Sequence, residues 1–104
     1  MSNSKQAFVY LALQVKTGLH KIGFGICPEF RMKQLKQTFG SDFKLIHKIP
    51  CSDVRKVERK LHGIFNITSK TREMARLTDS EIEWIKQQTE LSILTCKGVI
   101  CGKI

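Results

Sequence analysis

Residues 6–14, Gln-Ala-Phe-Val-Tyr-Leu-Ala-Leu-Gln, are almost continuously apolar and rich in β-formers. Such a run suits a strand in the middle of a sheet, covered on both faces. Lys16-Thr17-Gly18 follows as a turn signal. Residues 19–24 then read as the return strand of a hairpin. Gly23 and Gly25 let the end of that strand bend or approach another backbone closely.

The rest of the chain supplies covering elements. Pro28 suits the first position of a helix, and Glu29 complements its N-terminus. Met32, Leu35 and Phe39 recur at three- and four-residue spacing, which predicts an amphipathic helix over 28–39, ended by Gly40. Residues 43–49 alternate imperfectly, a strand expected to stop at Pro50. Ser52 is the expected N-cap of the next helix, with Val54, Val57, Leu61 and Ile64 as its buried stripe and Phe65 beside them. Residues 66–74 are polar and basic, a surface loop. Thr78-Asp79-Ser80-Glu81 reads as a capping box, opening a third helix with Ile82, Trp84 and Ile85. The apolar stretch 91–104, with a Lys97-Gly98 turn signal, reads as a hairpin or an added edge strand. The order is β-β-α-β-α-α plus a tail. That is one α+β domain over 1–104, with a small, mainly antiparallel sheet flanked by helices.

At 104 residues the chain is long enough for one domain and too short for two. Its 18 Lys and Arg against nine Asp and Glu give a net charge of +9. That excess favours an anionic partner, nucleic acid above all. Residues 1–52 carry eight bases and two acids, and residues 53–104 carry ten bases and seven acids. The first half is therefore the expected phosphate-facing half. No stretch reaches the roughly 20 apolar residues of a membrane span, and residues 1–5 do not read as a secretory leader. The expected compartment is the cytoplasm, that of the host if the protein is phage-encoded, or the nucleus. Cys27, Cys51, Cys96 and Cys101 lack zinc-finger spacing. They are expected as small buried or half-buried thiols, with a Cys96–Cys101 disulfide or a zinc site as the alternatives.

Four side chains could support phosphodiester hydrolysis, which needs a positioned water, a group to take its proton, and positive charge on the phosphate and the leaving oxygen. Glu58 is the candidate metal ligand, because one carboxylate plus waters and substrate suffices for Mg²⁺. Its alternative is an exposed helix glutamate pairing with Arg55 or His62. Tyr10 is a core tyrosine, or a phenol that orients water where nearby cations lower its pKa from about 10. Lys21 can stand on either face of its strand. Arg31 could fork onto a phosphate from the first turn of its helix, where the dipole mildly disfavours a cation. His62 shares a helix face with Glu58, as support for it, as a phosphate contact or as a surface residue. Lys33, Lys70, Arg72 and Arg76 join Lys21, Arg31 and His62 as expected nucleic-acid contacts.

In order and spacing this set resembles the GIY-YIG nuclease superfamily. Phe8-Val9-Tyr10 stands where that family has Gly-Ile-Tyr, and Lys21-Ile22-Gly23 where many members have Tyr-Ile-Gly. The closer likeness is to the branch named after a phage T5 open reading frame and a meiotically up-regulated gene. It rests on Val9-Tyr10-Leu11, Lys21-Ile22-Gly23, Arg31 with Leu35, and Glu58, Leu61, His62 and Phe65. Echoes follow in Glu73-Met74-Ala75-Arg76-Leu77 and Glu81-Ile82-Glu83-Trp84, so that residues 6–86 are covered. The resemblance implies that Tyr10 activates or orients water, Lys21 replaces the second tyrosine, Arg31 binds the scissile phosphate, and Glu58 holds one Mg²⁺ or Mn²⁺. Two departures stand out: the first tripeptide lacks its glycine, and the family's late asparagine has no secure counterpart.

The expected function is that of a metal-dependent endonuclease of nucleic acid, DNA before RNA, with little sequence preference of its own. A protein partner or a homodimer would supply specificity. The alternatives are a catalytically degenerate module that binds nucleic acid, and a small phage-type effector acting on a host protein.

Overall fold

The computed structural model describes residues 6–67 and 74–96. The hairpin is its centre. Strand β1 spans Ala7–Gln14 and β2 spans His20–Gly25, antiparallel, with Tyr10 opposite Gly23 and Ala12 opposite Lys21. Gly18, at φ 77°, makes the turn between them. Helix α1, Pro28–Phe39, ends on Gly40 in the left-handed conformation, where a Cβ would be strained. Strand β3, Phe43–Cys51, pairs with β1, and a two-residue strand β4, Met74–Ala75, pairs with the start of β2. The sheet order is β3-β1-β2-β4.

Opposed residues of an antiparallel pair point to the same face, which sorts the core into two layers. Tyr10 and Ala12 pack with Met32 and Leu35 of α1, and with Phe43 and Met74. Val9, Leu11, Ile22 and Ile49 face the other way, onto Val57 and Leu61 of helix α2 (Val54–Ile64), Ile85 of α3 (Asp79–Lys86) and Ile93 of α4 (Glu90–Leu94). The central strand is thus covered on both faces, as its continuous apolar run requires. No helix among the described residues is long and apolar enough to cross a membrane.

Four local expectations are corrected. β3 does not stop at Pro50 but runs through it to Cys51. β3 is an edge strand, where a residue without an N–H removes no ladder bond if its nitrogen side faces outward. The N-cap of α2 is Asp53, whose side chain accepts from the Lys56 N–H. Ser52 instead binds Glu90 through both its N–H and its hydroxyl. Met74, expected at the end of a loop, forms β4 with Ala75. Residues 90–94 form a helix and not a strand: Thr89 and Ser92 make a capping box, and Ile93 seats in the core. The expected box at Thr78 and Glu81 is present at the start of α3. Cys51 is a buried thiol and Cys27 an exposed one, while Cys101 lies outside the described residues, as does the rest of the expected tail hairpin.

Candidate active site

Tyr10 is 2% exposed, and its ring runs across Gly23 on the neighbouring strand. A Cβ on Gly23 would lie 2.6 Å from the Tyr10 hydroxyl and 2.8 Å from Cζ. The absent side chain is what lets the phenol reach over β2 toward its outer edge. Among the described residues, β4 pairs with this edge at His20 and Lys21. Lys21 shares the Tyr10 face through its pairing with Ala12 and is only 6% exposed. A lysine so buried is held in place with its stem along the sheet. Among the described residues, every buried side-chain nitrogen and oxygen has a hydrogen-bond partner.

Arg31 comes from α1, on the same side of the sheet. Glu29 of that helix pairs with Lys48 of β3 at 2.8 Å, and Lys36 pairs with Asp42 at 3.1 Å, so their flank lies over β3. At about 100° per residue, Arg31 is turned about 200° from Glu29 and overlooks β2. Its guanidinium donates to Gln34 within its own helix. Lys33 is exposed on the outer surface of α1, turned away from Arg31.

Glu58 arrives from the other layer. α2 packs on the opposite face from Tyr10, so the four residues do not share one surface of the sheet. The stripe of α2 that carries Glu58 runs instead beside β2. Arg55, Glu58 and His62 form a stripe along α2 at three- and four-residue spacing. Both ends of the stripe touch β2: the Arg55 guanidinium lies 5.6 Å from the Phe24 ring, and His62 Nε2 lies 2.8 Å from the Ile22 carbonyl oxygen. Glu58, between them, is therefore brought alongside Gly23. A carbonyl can only accept, so His62 Nε2 carries a hydrogen and donates it. The same nitrogen is 3.9 Å from Glu58 Oε2, and both side chains are largely buried at 16% and 19% exposure.

The other expected contacts fall elsewhere. Arg76 lies over the hairpin turn, donating to the Thr17 carbonyl at 3.4 Å and standing 3.3 Å from where a Gly18 Cβ would be. That is the opposite end of β2 from Gly23. Lys70 and Arg72 lie outside the described residues. One cation escaped the sequence reading: Lys48, opposite Tyr10 on β3, sits 4.7 Å over the Phe8 ring, a placement that depends on the strand register. Arg55, which the sequence offered as a partner for Glu58, stands one turn before it, against the Phe24 ring. Among the described residues no three His, Cys, Asp or Glu side chains gather into a cluster that could hold a metal unaided.

The hairpin, the helix after it and the next helix carry Tyr10 and Lys21, Arg31 and Glu58 in the order that the GIY-YIG resemblance implies. The family model described as T5orf172 domain matches residues 7–97, and the chain belongs to that family, within the GIY-YIG-like, nuclease-related clan. No curated protein and no solved structure matches the chain significantly.

Proposed function

We propose that the protein is a divalent-metal-dependent endonuclease that hydrolyses phosphodiester bonds of DNA, with Tyr10, Lys21, Arg31 and Glu58 at the β2 edge. The observation that carries this reading is the Tyr10 ring crossing Gly23, toward the strand edge that His62 ties to the Glu58 helix. Membership of a nuclease-related family supports it.

Arg31 would fork onto the scissile phosphate and fix it over β2. The Tyr10 hydroxyl would accept a hydrogen bond from the attacking water and aim its oxygen at phosphorus. Lys21, beside Tyr10, would favour the ionised form of any acid near it and neutralise charge on the phosphate. The new phosphorus–oxygen bond would form as the bond to the leaving oxygen breaks; the attacking water would pass its proton by way of the Tyr10 hydroxyl to solvent, and a solvent water would protonate the leaving oxygen, which departs as an alcohol. Glu58 fits the role of sole protein ligand to Mg²⁺ or Mn²⁺, since a hard ion of this kind keeps several waters and takes few carboxylates. When bound, the ion supplies positive charge to the leaving oxygen.

The test is incubation of supercoiled plasmid with Mg²⁺ or Mn²⁺, wild type beside Glu58→Ala. Nicking by the wild type alone supports the proposal. If neither nicks any nucleic acid, the module is a binder that does not cut.

A further inference from the structure

Helix α1 carries one apolar side chain where its pattern calls for a polar one. Its buried face is Pro28, Met32 and Leu35. Every other exposed position of the helix is polar, but Phe30 is 57% exposed. Its ring is also bare. The chain has six phenylalanines. Lys48 and Arg55 lie over Phe8 and Phe24, Phe39 meets Phe43 edge to face, and Phe65 meets Trp84 in the same way. Among the described residues, Phe30 is the phenylalanine with neither a ring nor a cation against it. Its apolar surface stands in water with no packing to offset it. Arg31 follows Phe30 in the chain, and its guanidinium donates to Gln34 at 3.2 Å. Gln34 stands one turn beyond Phe30, about 40° around the helix, so Arg31 leans toward the flank that carries the bare ring. Arg31 makes no ion pair with a carboxylate among the described residues. Ile26, one residue past β2, is 56% exposed and extends the apolar patch toward the hairpin.

We propose that Phe30 is a stacking platform for an exposed base of the strand whose phosphate Arg31 holds. The proposal rests on the phosphate role of Arg31 and not on cleavage. A cation beside a bare aromatic ring matches the two parts of a nucleotide, an anionic phosphate and a base with a π-face. The faces of a stacked base are covered by its neighbours, so the ring meets a base only where one is unstacked. Every base has such a face, so the ring reads exposure and not sequence.

The experiment compares two labelled probes in EDTA, so that no cleavage is needed. One is an oligodeoxyadenylate of about 12 nucleotides, within the usual span of such sites. The other has the same length but is built of abasic residues, which keep the phosphates and remove the bases. Phe30→Ala should lose affinity for the adenylate by about 5-fold or more, the usual effect of removing one stacked base, and lose none for the abasic probe. Phe30→Trp should keep the adenylate affinity, and its added tryptophan emission should be quenched by the adenylate, while Trp84 in the wild type is not. Leu91→Ala, which removes an exposed apolar side chain on α4, should bind both probes as the wild type does. An unchanged adenylate affinity in Phe30→Ala, an equal loss on both probes, an equal loss in Leu91→Ala, or unquenched Phe30→Trp emission overturns the stacking. Arg31→Gln should reduce the slope of log affinity against log salt by about 0.7 on both probes. No reduction overturns the Arg31 contact on which this proposal and the nuclease reading both stand. Absent stacking with plasmid nicking intact overturns this proposal alone.

Discussion

The Tyr10 hydroxyl occupies the space where Gly23 would otherwise carry its Cβ. The two residues are direct partners across the hairpin, so the glycine of the second tripeptide exists to seat the tyrosine of the first. This predicts that Gly23→Ala fails at the site rather than at the turn. A Cβ at 2.6 Å cannot be absorbed by a 2% exposed ring without moving it. Overpacking of this kind costs about 1–3 kcal/mol. A lower melting temperature with plasmid nicking reduced at least about 10²-fold is expected; an unchanged melting temperature would show that the ring moves freely.

His62 is expected to act by fixing the α2 stripe that carries Glu58 against β2, and not on phosphate, because its Nε2 hydrogen is committed to the Ile22 carbonyl. His62→Ala should weaken Mn²⁺ binding, titrated by electron paramagnetic resonance, by about 10–100-fold, the usual cost of losing an outer-shell partner. His62→Gln, which keeps an N–H donor, should recover part of it. Equal Mn²⁺ affinity in all three proteins would make the contact purely structural.

Acid should loosen the fold before it alters the charge of most side chains. Burial, with Arg76 nearby, holds the His20 pKa below its ordinary value, and burial does the same for His47. His20 Nδ1 accepts from the Leu77 N–H, so the neutral ring is the folded form. The unfolded chain then binds more protons than the folded one near the ordinary histidine pKa, about 6.5. Stability is complete above that pH and falls as pH drops through it toward the lowered folded value. His20→Asn, which keeps an acceptor near the Leu77 N–H but does not titrate, should flatten the decline in melting temperature between pH 7 and 5. An identical decline would remove His20 from the account.

Helix α4 is a structural brace. Ile93 is 0% exposed in the core, and the Glu90 carboxylate accepts from the Ser52 and Asp53 N–H groups ahead of α2, which lowers its pKa. Ile93→Ala should cost about 2–5 kcal/mol by urea denaturation. Leu91→Ala, at a 71% exposed position, should change stability by about 0.5 kcal/mol or less. Similar effects at the two positions would mean that α4 does not dock as described.

The hairpin, the three longer helices and the two layers were legible because each rests on local periodicity or a capping signal. The continuous run at Ala7–Gln14 needs two covers, and Pro28, Gly40, Thr78 and Glu81 mark ends in their own sequence. What escaped depends on distant partners. Ser52 looks like an N-cap until Glu90 claims it. Residues 90–94 are apolar enough for a strand, yet Thr89 and Ser92 cap them as a helix over α2. The candidate residues could be named in order along the chain, but not that α2 would bring Glu58 in on the face opposite Tyr10. That placement, like the pairing of Tyr10 with Gly23 and the His62–Ile22 bond, depends on how distant segments pack. Lys48 stayed hidden because β3 carries a bulge between its pairings with Leu11 and Ala12, which alternation alone does not reveal.

The most direct measurement pairs cleavage with binding in Glu58→Ala. The carboxylate repels phosphate when no metal is bound, so removing it should leave DNA affinity in EDTA equal or higher. Its proposed work belongs to the transition state, so nicking of supercoiled plasmid in Mg²⁺ or Mn²⁺ should fall by about 10²-fold or more. Arg31→Ala should lose both rate and affinity, because its cation meets phosphate in the ground state as well. Wild-type nicking that vanishes in Glu58→Ala, with affinity intact, is the predicted result. Nicking by purified Glu58→Ala at the wild-type rate would contradict the assignment of the β2 edge as the catalytic centre.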